Sequence, residues 1–529
     1  MSGQMKQLIA AIFFTLCLIQ QAVAVALPKA VRDELKRANI PLSGVGIIVQ
    51  KENDGMPLLS LNPERAMNPA STMKLLTTYA ALEILGPAYR WKTEAYLDGK
   101  LENGVLEGNL IFKGYGDPKL NVEQFWLWLR ELRQRGLRDI RGDIILDRSF
   151  FEVIDHDPAE FDNEPTRAYN VGPSALLLNF NALHVRLIPN ATSTSALLEP
   201  DLSGYMLSNR VTTVARRPCA GGDNYTAHLE DRSIVLEGTI PGDCGEVDDY
   251  ISLLPHGDYF FAVFSALWKE MGGTLQGGMR EGRAPVDRDA FSTHLSAPLS
   301  EVIRDINKFS NNIMARQLFL TLGTVEPPAE LADEFAFRPE LFSSEDVVSW
   351  MDDTGESMLP VNFPQQDVPT DSRPVDSLRA PALSRVDPPA ASIPRSVAAI
   401  RKWLARENME FPELVLENGA GLSRQERISP QHLADLLRHA SRSRYAAEME
   451  ASLPILGMDG TMKKRFRDNE IAGYAHIKTG MLEGVKSIAG YVKTHGDREW
   501  TVVFLVNHPN AALSQPAQDA LVEWLQKRN

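Results

Sequence analysis

Ser71-Thr72-Met73-Lys74 is the only Ser-x-x-Lys in the chain. Asn68-Pro69 breaks the chain just ahead of it, and residues 70–85 have helical composition up to a stop signal at Gly86-Pro87. Ser71 is therefore expected in a first helical turn, near backbone N–H groups that no helix bond consumes. The i,i+3 spacing puts Ser71 and Lys74 on one helix face. A neutral lysine amine there can take the serine proton and free the oxygen for nucleophilic attack. That requires a depressed lysine pKa, which burial and neighbouring cations supply. Taken alone, the motif reads equally well as a helix-start serine beside a solvated lysine.

Two more patterns carry chemistry. Lys478-Thr479-Gly480, the only Lys-Thr-Gly, ends a predicted strand and precedes a tight connection at 481–484. A sheet-edge strand ending in Lys and Thr can bind a carboxylate, and the glycine lets a ligand backbone pair as an extra strand. Hairpin punctuation is the competing reading. Ser310-Asn311-Asn312 follows a helix-like stretch at 299–308, so a hydroxyl and an amide two residues apart can face one cleft, with Lys308 adding a cation. Ser60-Leu61-Asn62 fits the same template, which makes this pattern weak alone. The ordered set is far rarer than its pieces. It is the signature of class A β-lactamases and penicillin-binding proteins, with Ser-Asn-Asn here in place of Ser-Asp-Asn.

Around these motifs, residues 45–50 and 58–61 read as strands of a hairpin with a turn at Asn53-Asp54-Gly55. Short strands are expected at 94–97, 105 and 110–112, a helix at 122–135, a strand at 143–146, and strands and turns through 166–254. A helix at 259–271 closes at Gly272-Gly273. Regular structure resumes after Val397, with strands at 476–478, 488–492 and 500–506 and a closing helix at 517–526.

The chain resembles the class C low-molecular-mass penicillin-binding proteins, the D-alanyl-D-alanine carboxypeptidase/endopeptidase (peptidase S13) family. Besides the three motifs, the match rests on Gly116-Asp117-Pro118, Gly142-Asp143-Ile144, Tyr169-Asn170-Val171-Gly172-Pro173-Ser174, Asn179-Phe180-Asn181, Asn418-Gly419-Ala420-Gly421-Leu422-Ser423, Leu453-Pro454 with Asp459-Gly460-Thr461, and Gly484-Val485. It spans roughly residues 43–506, and the long gap between the first and second motifs fits domains inserted there. The resemblance implies a multidomain α/β and α+β chain. A discontinuous transpeptidase-like domain at 27–92 and 286–529, an antiparallel sheet flanked by helices, would carry inserted domain II at 93–165 and 256–285 and β-rich domain III at 166–255.

It also implies roles. Ser71 attacks a D-Ala–D-Ala carbonyl and Lys74 accepts its proton. Ser310 relays a proton to the leaving amine. Asn312 holds the acyl-side amide and positions Lys74. Lys478 and Thr479 bind the terminal carboxylate, Gly480 leaves room for the ligand, and the Ser71 and Met481 N–H groups form an oxyanion hole. No metal or organic cofactor is needed. Peptidoglycan peptides would be substrates and β-lactam antibiotics covalent inhibitors. A serine β-lactamase and a non-catalytic wall-binding scaffold are the rival readings. The inserted domains argue against the first, and intact Ser71, Lys74 and Lys478 against the second.

Bulk properties narrow the setting. The 529 residues suit about two to four domains, and a net charge of −14 makes a nucleic-acid partner unexpected. Much of that charge lies in residues 326–394, which hold fourteen Asp/Glu, four Arg and eleven prolines. Such composition reads as a solvated linker or surface loop, although Phe335, Phe337, Trp350 and Met351 could form a short partner-binding element. Lys6, the apolar run 8–19 and Ala22-Val23-Ala24 read as a signal peptide over residues 1–24, implying export to the periplasm. The sequence leaves peripheral membrane association open without indicating it. In an exported chain, Cys219 and Cys244, with 24 residues between them, are expected to form a disulfide. Two free buried thiols are the alternative, and no Cys-x-x-Cys or His-Glu-x-x-His pattern suggests a metal.

Overall fold

The computed structural model describes residues 26–51, 56–152, 156–215, 225–325, 390–494, 496 and 499–528. These belong to one unit formed by 1–325 and 389–529. The rest of the chain, including Cys219 and residues 326–389, lies outside the described residues.

A five-stranded antiparallel sheet organises the two ends of the chain. Its strands are β1 (Val45–Lys51), β2 (Leu59–Leu61), β3 (Ala475–Leu482), β4 (Val485–Lys493) and β5 (Glu499–Asn507), in the spatial order β3-β4-β5-β1-β2. Side chains alternate faces along a strand. Ile47, Val49, Ile488, Val502 and Phe504 share one core with the terminal helices Lys29–Arg37 and Gln515–Gln526. Ile48, Ala489, Val503 and Leu505 pack into another with α1 (Lys74–Leu85), α2 (Leu299–Phe309) and α3 (Asn312–Leu322). A sheet apolar on both faces must be covered on both, which explains the unbroken apolar run of β1. Helix α1 is buried over residues 74–82, as expected of a helix enclosed on all sides.

The transpeptidase-like arrangement and the insertion between the first two motifs are both present. Residues 92–295 form a seven-stranded sheet and two three-stranded sheets. Their main core joins Phe112, Phe125, Trp128, Phe260 and Phe264 in edge-on aromatic contacts. The helices expected at 122–135 and 259–271 are Val122–Gln134 and His256–Glu270.

Several boundaries differ from expectation. The strand expected at 476–478 runs on to Leu482, so Lys478-Thr479-Gly480 lies within it and not at its end. The short strands expected near 94–112 are one long hairpin, Lys92–Glu102 paired with Val105–Gly114. Gly99 and Gly108 look like turn punctuation but face each other across the ladder, where a Cβ on Gly99 would sit 2.3 Å from the Glu107 carbonyl oxygen. The loose segment expected to run to residue 394 ends earlier. Ala391 bridges to Phe151, and a helix spans Ile393–Arg406 with Pro394 in its first turn, where the missing N–H has no partner to lose.

Candidate active site

Ser71 sits on a backbone that is held from several sides. Ala70–Met73 forms a 3-10 turn leading straight into α1, so Ser71 precedes the regular helix by one turn. Ala70 adopts φ 48°, a left-handed conformation costly for a residue with a Cβ. Asn68 stabilises this entry by accepting from the Ala70 N–H at 2.9 Å, and it exchanges two hydrogen bonds with Asn507 at the end of β5. The Pro69 carbonyl accepts from Ser487 Oγ of β4 at 2.6 Å. The turn is thus tied to the sheet.

Lys74 is fully buried. Its Nζ donates to Ser71 Oγ at 2.9 Å, to Asn312 Oδ1 at 2.7 Å and to the Ala420 carbonyl. Burial lowers its pKa well below the usual lysine range, nearby Lys478 and Arg316 lower it further, and Glu426 opposes them. This is the state the i,i+3 spacing required: an amine in contact with the serine and disposed to be neutral.

Asn312 and Ser310 reach the site through a helix–helix junction. Ser310 ends α2 with φ 58°, Asn311 caps α3 by accepting from the Met314 N–H at 3.0 Å, and Asn312 opens α3. One tripeptide therefore stops a helix, starts another and sets its two polar groups on Lys74 and Lys478. Lys478 arrives from β3, the edge strand. Its register partner is Ala489, which pairs with Val503 of the α1-facing core, so strand alternation turns Lys478 toward the serine. Its Nζ donates to Ser310 Oγ at 2.8 Å, and burial takes its pKa down to about 7. Gly480 lies against the nucleophile: a Cβ there would be 2.8 Å from the Ser71 nitrogen and 2.3 Å from Ser487 Oγ. Thr479 donates its hydroxyl to Thr461 Oγ1 at 2.8 Å, and the Met481 side chain is exposed.

Lys308, expected to add a cation to the substrate-binding groups, is buried, its ammonium donating to Asp459 Oδ2 at 2.7 Å and to the Leu453 carbonyl at 2.8 Å. A buried ammonium needs such partners. They anchor the segment that carries Thr461. The rival Ser60-Leu61-Asn62 is structural, since Asn62 Nδ2 serves the Leu42 and Val45 carbonyls.

Asn68, Arg316, Ala420 and Glu426 were not singled out from sequence. Ala420 lies in a segment quoted for its resemblance. Glu426 carried no signal, because a lone glutamate in a polar loop resembles any surface residue. Cys244 is disulfide-bonded, whereas Cys219 lies outside the described residues. Among the described residues, no group of three or more His, Cys, Asp or Glu is placed to hold a metal.

The sequence matches the D-Ala-D-Ala carboxypeptidase 3 (S13) family over residues 27–343 and 383–528. D-alanyl-D-alanine carboxypeptidase DacB of Haemophilus influenzae is 22% identical over 490 residues, covering 90% of this chain and 88% of that protein. The D-alanyl-D-alanine carboxypeptidase of Actinomadura sp. (strain R39) is 26% identical over 476 residues, covering 84% and 74%. The crystal structure of penicillin binding protein 4 (dacB) from Haemophilus influenzae shares the fold, with a TM-score of 0.69 at 20% identity over 94% of this chain and 99% of that one. Family match and motif geometry agree, and the chain belongs to the D-Ala-D-Ala carboxypeptidase 3 (S13) family of serine peptidases.

Proposed function

We infer that this chain hydrolyses D-alanyl-D-alanine-type bonds of peptidoglycan stem peptides and cross-links, as a serine carboxypeptidase and/or endopeptidase working through an acyl-enzyme. The observation that carries this reading is the contact of a buried, cation-flanked Lys74 amine with Ser71 Oγ.

Ser71 Oγ attacks the carbonyl carbon between the two D-alanines as its proton passes to Lys74 Nζ. The Ser71 N–H, beside Gly480 of the edge strand, and the Met481 N–H receive the developing oxyanion. Ser310, linked to Lys478, gives its proton to the leaving nitrogen and takes the one held by Lys74 in return; the C–N bond breaks, an ester remains on Ser71 and Lys74 is neutral again. Water attacks the ester and gives a proton to Lys74, which returns it to Ser71 Oγ as the ester bond breaks. Lys478 binds the terminal carboxylate, joined by Thr479 once its hydroxyl turns from Thr461. Asn312 holds the acyl-side amide while keeping Lys74 in place. No step calls for a cofactor.

β-Lactams mimic the scissile amide and its carboxylate, and the same attack leaves a penicilloyl ester. Haemophilus influenzae penicillin binding protein 4 has also been solved in complex with a β-lactam. Intact-mass analysis after benzylpenicillin treatment should show one added penicilloyl group, absent in Ser71→Ala; an adduct that persists in the variant overturns the assignment. Action on peptidoglycan supports a periplasmic location, in keeping with the expected signal peptide over residues 1–24. No helix among the described residues is long and apolar enough to cross a membrane. Export also accounts for a Cys219–Cys244 bond, whose loop would contribute roughly 3 kcal/mol; unreduced peptide mapping that finds Cys219 freely alkylated excludes it.

A further inference from the structure

Behind Lys74 lies a buried carboxylate that the acylation steps do not use. Glu426 is fully buried. Its Oε1 accepts from three consecutive backbone N–H groups, Glu417, Asn418 and Gly419, at 3.1, 3.0 and 2.8 Å. Ser423 Oγ holds Glu426 in turn, accepting from the Gln425 and Glu426 N–H groups at 2.8 and 3.0 Å. The bound segment leads directly into the reacting groups. Gly419 O accepts from Thr77 Oγ1 of α1 at 2.6 Å, and Ala420 O, the next carbonyl, accepts from Lys74 Nζ.

The charges around this carboxylate are unbalanced. Lys74 faces Lys478 from β3, Arg316 from α3 and Glu426 from its loop. All three cations are buried. Arg316 gives its guanidinium to the Val171 carbonyl at 2.7 Å, and its charge is felt by Glu426 and Glu417. Glu426 Oε2 is buried with no hydrogen-bond partner among the described residues. A carboxyl anchored only as a backbone clamp would need one oxygen; the second is left to face the Lys74 and Arg316 charges.

We propose that Glu426 is a positioning residue for nucleophile activation: it fixes the 417–420 segment whose Ala420 carbonyl seats the Lys74 amine, and it sets a buried carboxylate against Lys74 and Arg316 that holds the Lys74 pKa up. The inference rests on Ser71 being the nucleophile and Lys74 its base. Burial raises the Glu426 pKa above the usual carboxylate range, and the three N–H donors and Lys74 offset that rise only in part. Its negative charge in turn raises the Lys74 pKa.

The two contributions separate experimentally. Glu426→Gln keeps an oxygen acceptor and nearly the same volume but removes the charge. Glu426→Ala removes both. The measurement is the second-order rate of benzylpenicillin acylation against pH, on the full chain, with folding checked by circular dichroism. Acylation needs neutral Lys74, so its rate falls on the acid side. Losing the Glu426 charge lowers the Lys74 pKa, and the acid limb of Glu426→Gln should move down by about half a pH unit or more. Glu426→Ala should in addition lose about tenfold or more on the plateau, because the Ala420 carbonyl is no longer held. Profiles of wild type and Glu426→Gln with the same midpoint, differing only by a scale factor, overturn the charge role. Wild-type plateau rates in Glu426→Ala overturn the positioning role. A wild-type protein that never acylates would instead overturn the Ser71 reading itself.

Discussion

Lys478 Nζ donates to Ser310 Oγ at 2.8 Å although the two residues are 168 positions apart. The contact joins the edge strand to the junction between two helices and puts a lysine whose pKa burial lowers to about 7 beside the hydroxyl proposed to relay the leaving-group proton. The first consequence concerns substrates that end in a carboxylate.

Lys478→Ala should strongly reduce kcat/KM for D-Ala release from a D-Ala–D-Ala-terminated peptide. Lys478→Arg should keep part of the activity, because the charge survives but the guanidinium is larger and prefers forked geometry. A wild-type rate in all three proteins, within about twofold or roughly 0.5 kcal/mol of transition-state stabilisation, would remove Lys478 from the site. The pH dependence has a defined sign. Burial lowers the Lys478 pKa to about 7, and only the protonated form attracts a carboxylate, so KM should rise as pH climbs through that value. A KM that is flat from pH 6 to 9 contradicts this.

Gly480 should be irreplaceable without being important to the fold. A Cβ would press on the Ser71 nitrogen and Ser487 Oγ, so Gly480→Ala must shift the nucleophile or the strand. A 1 Å displacement of a reacting atom costs about a hundredfold. We expect benzylpenicillin acylation to fall by about that factor with melting temperature nearly unchanged. An unimpaired acylation rate would show that the approach is looser.

The Lys308–Asp459 pair should matter for stability. Lys308→Met leaves Asp459 without its charge partner, and Asp459 is partly exposed, so solvent softens the loss to about 1–3 kcal/mol. Burial raises the Asp459 carboxyl, but the Ile455 N–H and Lys308 more than offset it, so its folded pKa is depressed. The stability it contributes is present above the unfolded aspartate pKa and is lost as pH falls through the folded value. Thermal unfolding of wild type and Lys308→Met should therefore converge at low pH. A constant difference in Tm from neutral to acid conditions would count against the pairing.

Residues 326–388 should be dispensable for chemistry. All three motifs lie outside this unit, and loop entropy grows only slowly with length. Replacing it with a short Gly/Ser linker should leave benzylpenicillin acylation within about threefold. A folded variant that cannot acylate would assign this segment a part in the site.

Much of the site was legible because it depends on local rules. Helical spacing put Ser71 and Lys74 together, and the helix-like stretch at 299–308 led up to Ser310, whereas Lys478, expected to end a strand, lies within Ala475–Leu482. The same rules misled where a residue's meaning depended on what it faces. Gly99 and Gly108 read as turns, yet they are a cross-strand pair. Lys308 read as a substrate-binding cation, yet Asp459 consumes its charge.

The sequence by itself determined the pairing of Ser71 with Lys74 on one helical turn and the order of the motifs, since these are encoded in residue type and short spacing. Only the tertiary structure decided how the groups act on one another. The Lys74 pKa depends on burial and on Lys478, Arg316 and Glu426, none of them near Lys74 in the chain. Electrostatic effects depend on distance through space and on the exclusion of water, and neither is a property of position along a chain.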